Sequence, residues 1–162
     1  MKNRMKCIVL LLICIITLGT VGAASTQPLK ETTMTARGSF EVKMISQSGE
    51  SAGGAFGRFL LDKTFHGDLE GVSKGQMLTS GGPPSKFGGY VALEQVIGTL
   101  NGKTGGFVLI HRGTMNDGND PLDVTVVPGS GTEELAGIAG LMKIIVEGSK
   151  HLYEFSYTLV GK

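Results

Sequence analysis

The chain has three histidines, His66, His111 and His151, and each stands near groups with which it could do chemistry. His66, Asp68 and Glu70 lie two apart, so a continuous strand would turn all three to one face. A histidine and two carboxylates on one face could bind a metal or transfer protons. The same three residues would equally suit a solvated outer face near a turn. No H-x-H or C-x-x-C spacing supports a metal centre, and none is expected.

Glu94 interrupts the most hydrophobic strand-like run, within Ala92-Leu93-Glu94-Gln95-Val96. It shares parity with Tyr90, Ala92 and Val96. Facing inward it would be desolvated, with a raised pKa suited to a general acid or base. Facing outward it would leave Val91, Leu93 and Ile97 in the core. One sequence leaves that choice open. His111 and Arg112 follow Phe107-Val108-Leu109-Ile110 and fall on opposite faces of a regular strand. An inward His could shuttle protons, and an inward Arg could hold a carboxylate ligand. The alternative is an internal network, such as Arg112 with Glu94, that only fixes strand register. His66, Tyr90, His151 and Tyr153 are candidates to line a cavity, or to sit on strand surfaces with ring packed and polar tip wet.

Other chemistry finds no support. G-x-S-x-G is absent. The loop Ser130-Gly131-Thr132-Glu133-Glu134-Leu135-Ala136-Gly137 lacks the order of a phosphate loop, and no long helix follows it. No cofactor motif is present, so no cofactor is expected. With 15 basic against 14 acidic residues, the charge balance argues against nucleic acid as a partner.

The first residues read as an export signal. Lys2, Arg4 and Lys6 precede a 12-residue, almost wholly apolar run, Cys7 to Leu18, and Val21-Gly22-Ala23 places small residues at a cleavage site. Cleavage is expected after Ala23, with Ala24 as the neighbouring choice and an uncleaved anchor as the alternative. Cleavage removes 23 of 162 residues and leaves 139, with both cysteines and three basic residues gone. The working chain then has no thiol, 12 basic and 14 acidic residues, and no membrane anchor. It is expected in the periplasm or outside the cell. Residues 24–33 are polar and read as a flexible arm.

From Met34 to residue 160 the pattern is of short alternating strands, about eight in meander order. Asn101-Gly102, with strands on both sides, is a strong hairpin signal. Residues 133–138 allow one short turn of helix at most. Glycine, 26 of 162 residues, falls inside strands as well as between them, at Gly38, Gly57, Gly67, Gly71, Gly75, Gly98 and Gly113. Glycine within a strand marks a bend or a close backbone approach, and closing a small barrel needs such bends. The expectation is an all-β domain built as a closed antiparallel barrel rather than a sandwich.

The succession MTARGSFEVK (34–43), LDKTFHGDLEGVSKGQMLT (61–79), GYVALEQVIGTLNGKTGGFVLIHRGTM (89–115), VVPGSGTEELAGIAG (126–140) and HLYEFSYTL (151–159) resembles a bacterial family of small domains of unknown function. Its members are grouped by fold with the allene oxide cyclase-like barrels. The resemblance spans nearly all of residues 34–160. It implies an eight-stranded antiparallel barrel, lipocalin-like in shape, with a central cavity. It implies no reaction, because function does not travel with fold. The functional expectation is a barrel that holds a small, mostly apolar molecule. The alternatives are a cofactor-independent isomerase or cyclase using Glu94, His111 or Arg112, and a structural barrel with a filled core. A homo-oligomer is compatible with the sequence, which shows no interface for one. The export reading has a direct check: intact mass of protein recovered from its own host should match a chain beginning at Ala24, and a full-length mass would contradict it.

Overall fold

Alternation of apolar and polar residues builds strands whose two faces differ, and a sheet of such strands buries its apolar face by closing on itself. The computed structural model describes residues 32–47, 56–81 and 85–160. The expected signal segment, and the arm as far as residue 31, lie outside the described residues. Eight strands follow: β1 (Met34–Ser46), β2 (Gly57–Gly67), β3 (Leu69–Gly81), β4 (Phe87–Leu100), β5 (Lys103–Asn116), β6 (Leu122–Val126), β7 (Ile138–Glu147) and β8 (Lys150–Leu159). Each pairs antiparallel with the next, and β8 returns to β1, so the sheet is an eight-stranded closed barrel. Register fixes which parity is inside. Phe65 on β2, Leu69 on β3, Val96 and Leu100 on β4, Phe107 and Leu109 on β5, and Tyr153, Phe155 and Tyr157 on β8 are all buried.

One end of the barrel is sealed by side chains and a loop. Asn101 and Gly102, both at positive φ, form the two-residue turn between β4 and β5. Asn101 Nδ2 donates to the Tyr157 hydroxyl at 2.9 Å. The Tyr153 hydroxyl accepts from the Leu69 N–H at 2.9 Å. After the short β6, the chain runs on beside β5. Val127 N–H donates to the Val108 carbonyl, and Thr132 exchanges bonds with Gly106 through both its N–H and its hydroxyl. A single 3-10 turn, Glu133–Leu135, then drops the fully buried Leu135 into the core. The glycine-rich loop is thus a structural plug. Between β6 and β7 the backbone pairing shrinks to Thr125 against Leu141.

The bends come from glycines aligned across strands. Gly71, Gly98 and Gly105 stand side by side on β3, β4 and β5. A Cβ on Gly71 would lie 2.5 Å from the Ile97 carbonyl oxygen and 2.9 Å from Gly98 Cα. The backbones therefore approach more closely here than any other residue would allow. Gly71→Ala is expected to destabilise the barrel by about 1–3 kcal/mol, the usual cost of forcing an extra carbon into a packed site. Thermal unfolding followed by circular dichroism reads this as a drop of several degrees. An unchanged midpoint would show that the approach is not a constraint.

A candidate functional site at the barrel waist

The inward parity that carries the core also carries four polar residues at one level of the barrel. Lys63 follows Leu61 and precedes Phe65 on β2. Ser73 of β3 pairs directly with Lys63, while Glu94 of β4 and His111 of β5 stand one inward position away on the diagonal, opposite Gly75 and Ala92. All four are buried, and Glu94 is fully so. Lys63 Nζ donates to Glu94 Oε2 at 2.7 Å. The Ser73 hydroxyl donates to Glu94 Oε1 at 2.5 Å. His111 Nε2 stands 2.9 Å from Glu94 Oε2, yet no hydrogen-bond partner is in line with it. The Lys63 ammonium also lies 4.8 Å from the centre of the Phe40 ring, an attraction that strengthens out of water.

These contacts reverse the sequence expectation for Glu94. Burial alone pushes its carboxyl up. The His111 ring, the Lys63 charge and hydrogen bond, and the Ser73 hydroxyl outweigh burial and hold it down to about 2. It is an ionised partner in a network rather than a neutral acid. Its cation is Lys63, not Arg112. Arg112 lies on the outward parity, where its guanidinium pairs with Asp123 at 2.6 Å. It does not share a site with Glu94 and His111. Of that neighbouring pair, His111 is the inward one. Lys63 and Ser73 were missed as site residues, although Lys63 sits in phase with Phe59, Leu61 and Phe65.

The other candidates are dispersed. Gly67, at φ 105°, ends β2 and breaks the expected continuous strand. His66, half exposed on the outer face, meets Glu41 at 2.9 Å and Glu70 at 3.8 Å. Asp68 accepts from the Arg37 N–H, and Glu70 from the Gly67 N–H. Two of the three carboxyl and imidazole groups are thus occupied by backbone, and among the described residues no cluster with metal-holding geometry occurs. His151 is half-buried and stacks on Phe40 with ring centres 5.2 Å apart. Tyr153 packs edge-on against Phe65, and its hydroxyl serves the seal described above. Tyr90 is partly buried, which pushes its hydroxyl up, and its ring occupies the space over Gly113 that any side chain there would claim.

The polar layer divides the interior. On one side lies the main core, with its stacked Phe107, Phe155 and Tyr157. On the other lies a smaller apolar cluster of Leu61, Met77 and Ala92, with Phe59 and Tyr90 against it. Beyond these, Met44, on the inward parity of β1, is 52% exposed. A recess of about 1320 Å³ opens over β2–β5, and the inward Phe59, Leu61, Met77 and Ala92 contribute to its lining. Most of its lining, including Leu60, Leu78, Val91, Leu93 and Ile110, belongs to the outward parity of β2–β5.

A family model described as "Protein of unknown function (DUF3224)" matches residues 36–157. The crystal structure of a DUF3224 protein of unknown function from Shewanella oneidensis MR-1 superposes with a TM-score of 0.73 at 43% identity, covering 82% of this chain and 100% of that one. No curated protein matches the chain.

The network makes stability depend on acid. Glu94 is held at about 2 against an ordinary 4.5, so its contribution is complete above pH 4.5 and is lost as pH falls through 2. A depression of that size corresponds to about 3 kcal/mol. Denaturant unfolding should show this loss in the native sequence and not in the paired replacement Lys63→Met with Glu94→Leu. At neutral pH, Glu94→Gln alone should cost about 3–5 kcal/mol, because it strands a buried ammonium, while the paired replacement should cost far less. Equal losses for single and double variants would refute the coupling.

Proposed function

The chain belongs to the DUF3224 family, and from that premise we propose that it is an exported barrel holding a small, mostly apolar molecule in the unsealed half of its lumen. The observation that carries this reading is the polar waist with a second, smaller apolar cluster above it, toward the half where Met44 is exposed. Leu61, Met77 and Ala92, with Phe59 and Tyr90, supply apolar walls. Lys63 and His111 supply polar groups at the floor, both turned to Glu94. An apolar body with one polar end fits such a cup.

The same geometry speaks against the isomerase reading. A general base works best with a pKa near the working pH. A carboxylate held at about 2 and spent on Lys63 and Ser73 is a poor proton acceptor. Binding, not turnover, is what the arrangement favours.

Ala92 and Leu93 are neighbours on opposite faces of β4, and this separates lumen from surface. N-phenyl-1-naphthylamine, a neutral apolar dye, should gain fluorescence with the native protein. Ala92→Phe, which fills the cup, should abolish the gain, while Leu93→Arg should leave it intact. The opposite pattern would move the binding to the outer face and overturn the reading, as would no gain at all.

A further inference from the structure

The run Tyr90–Leu100 is apolar on both parities, and the inward half does not explain the outward half. On β4, the outward Val91, Leu93 and Ile97 are 51%, 55% and 57% exposed. Register sets Leu78 of β3 beside Val91, Val72 beside Ile97, and Ile110 of β5 beside Leu93. All six are exposed. They make an apolar face across three strands in the middle of the sheet, crossed by Gln76 beside Leu93 and by the Lys74–Gln95 row between Leu93 and Ile97, and no neighbouring element among the described residues covers it. A face of this kind marks an interaction site rather than ordinary surface.

We propose that this face is the interface between two copies of the chain, related by a two-fold axis close to Leu93. Two features choose a second copy over other partners. The first is charge. Around a two-fold axis a surface meets itself, so any net charge near the axis repels its own image. Here the flanking charges are matched within the face: Lys74 with Asp62 at 2.8 Å, and Arg112 with Asp123 at 2.6 Å. Arg58, beside Leu78 and two strands from Leu93, is a flanking charge with no ion pair among the described residues. A charged partner or lipid surface would meet little opposing field beyond it. The second feature is shape. The outer wall of a twisted barrel is a hyperboloid, hollow along the axis and convex around it, and the recess lined by Leu78, Val91, Leu93 and Ile110 lies on that wall. A saddle matches its own copy when the two are crossed, the arrangement known from orthogonally packed sheets.

The inference is independent of what the lumen holds, since it uses the opposite faces of the same strands. Sedimentation velocity of the mature chain across micromolar concentrations is expected to show a dimer. Leu93→Arg should raise the dimer dissociation constant about a hundredfold or more, because two like charges would be buried against each other. Its circular dichroism and thermal midpoint should stay native, as the side chain points outward. Ile97→Lys repeats the test should Leu93→Arg fail to fold. A monomeric native protein overturns the proposal. So does a dimer that survives both substitutions, and so does a monomer that carries an apolar small molecule lost on Leu93→Arg, seen by native mass spectrometry.

Discussion

Glu94 has no contact with water, and a lone carboxylate in that position would be protonated or would cost several kcal/mol to keep charged. The neighbouring strands answer it. β2 brings Lys63, β3 brings Ser73 and β5 brings His111, each at the one register position that reaches the carboxylate. A slip of one residue in any of these strands would turn its polar group outward and leave the others stranded. The network therefore specifies the register of four consecutive strands in a way that interchangeable apolar side chains do not. It also sets the internal plan: a sealed aromatic core on one side, and a smaller apolar cup on the other.

That division gives the two halves different demands. The sealed half relies on shape, with stacked rings, aligned glycines that let backbones touch, and Leu135 as a stopper. The other half has more exposed inward side chains. The outward face of β3–β5 is a third region, apolar without being interior, and it shows that inside and outside are not separated by polarity alone in this molecule.

The barrel was legible because its signals are local. Alternation set the strands, Asn101-Gly102 set a tight turn, and in-strand glycines marked the bends. The site was legible only in part. Parity placed Lys63 in phase with Phe59, Leu61 and Phe65, but a lysine among aromatics reads as a break in the pattern until the carboxylate opposite is known. Glu94 could not be oriented because Tyr90–Leu100 is apolar on both sides, and only closure of the sheet decides which side is in. The direction of its pKa followed the same path: an inward carboxylate was expected to be raised, whereas the His111 ring and the Lys63 ammonium that hold it down come from other strands, Lys63 from 31 residues away. His66, Asp68 and Glu70 do not share a face, because one glycine at positive φ divides them between two strands and a turn.

Seven of the eight strand pairings join neighbours in the chain, and only β1 with β8 joins its ends. Hairpins that form locally assemble quickly, while a contact between distant segments must wait for the loop entropy to be met. Until β8 docks, the lumen lies open as the face of a curved sheet, and β4 presents apolar side chains on both surfaces at once. Such an intermediate is prone to stick to its own kind. The tyrosines of β8, bonded to the Leu69 N–H and the Asn101 side chain, are then more than ornaments of the seal. They latch β8 across the lumen to the β2–β3 and β4–β5 turns, and so hold closed the one pairing that joins the ends of the chain.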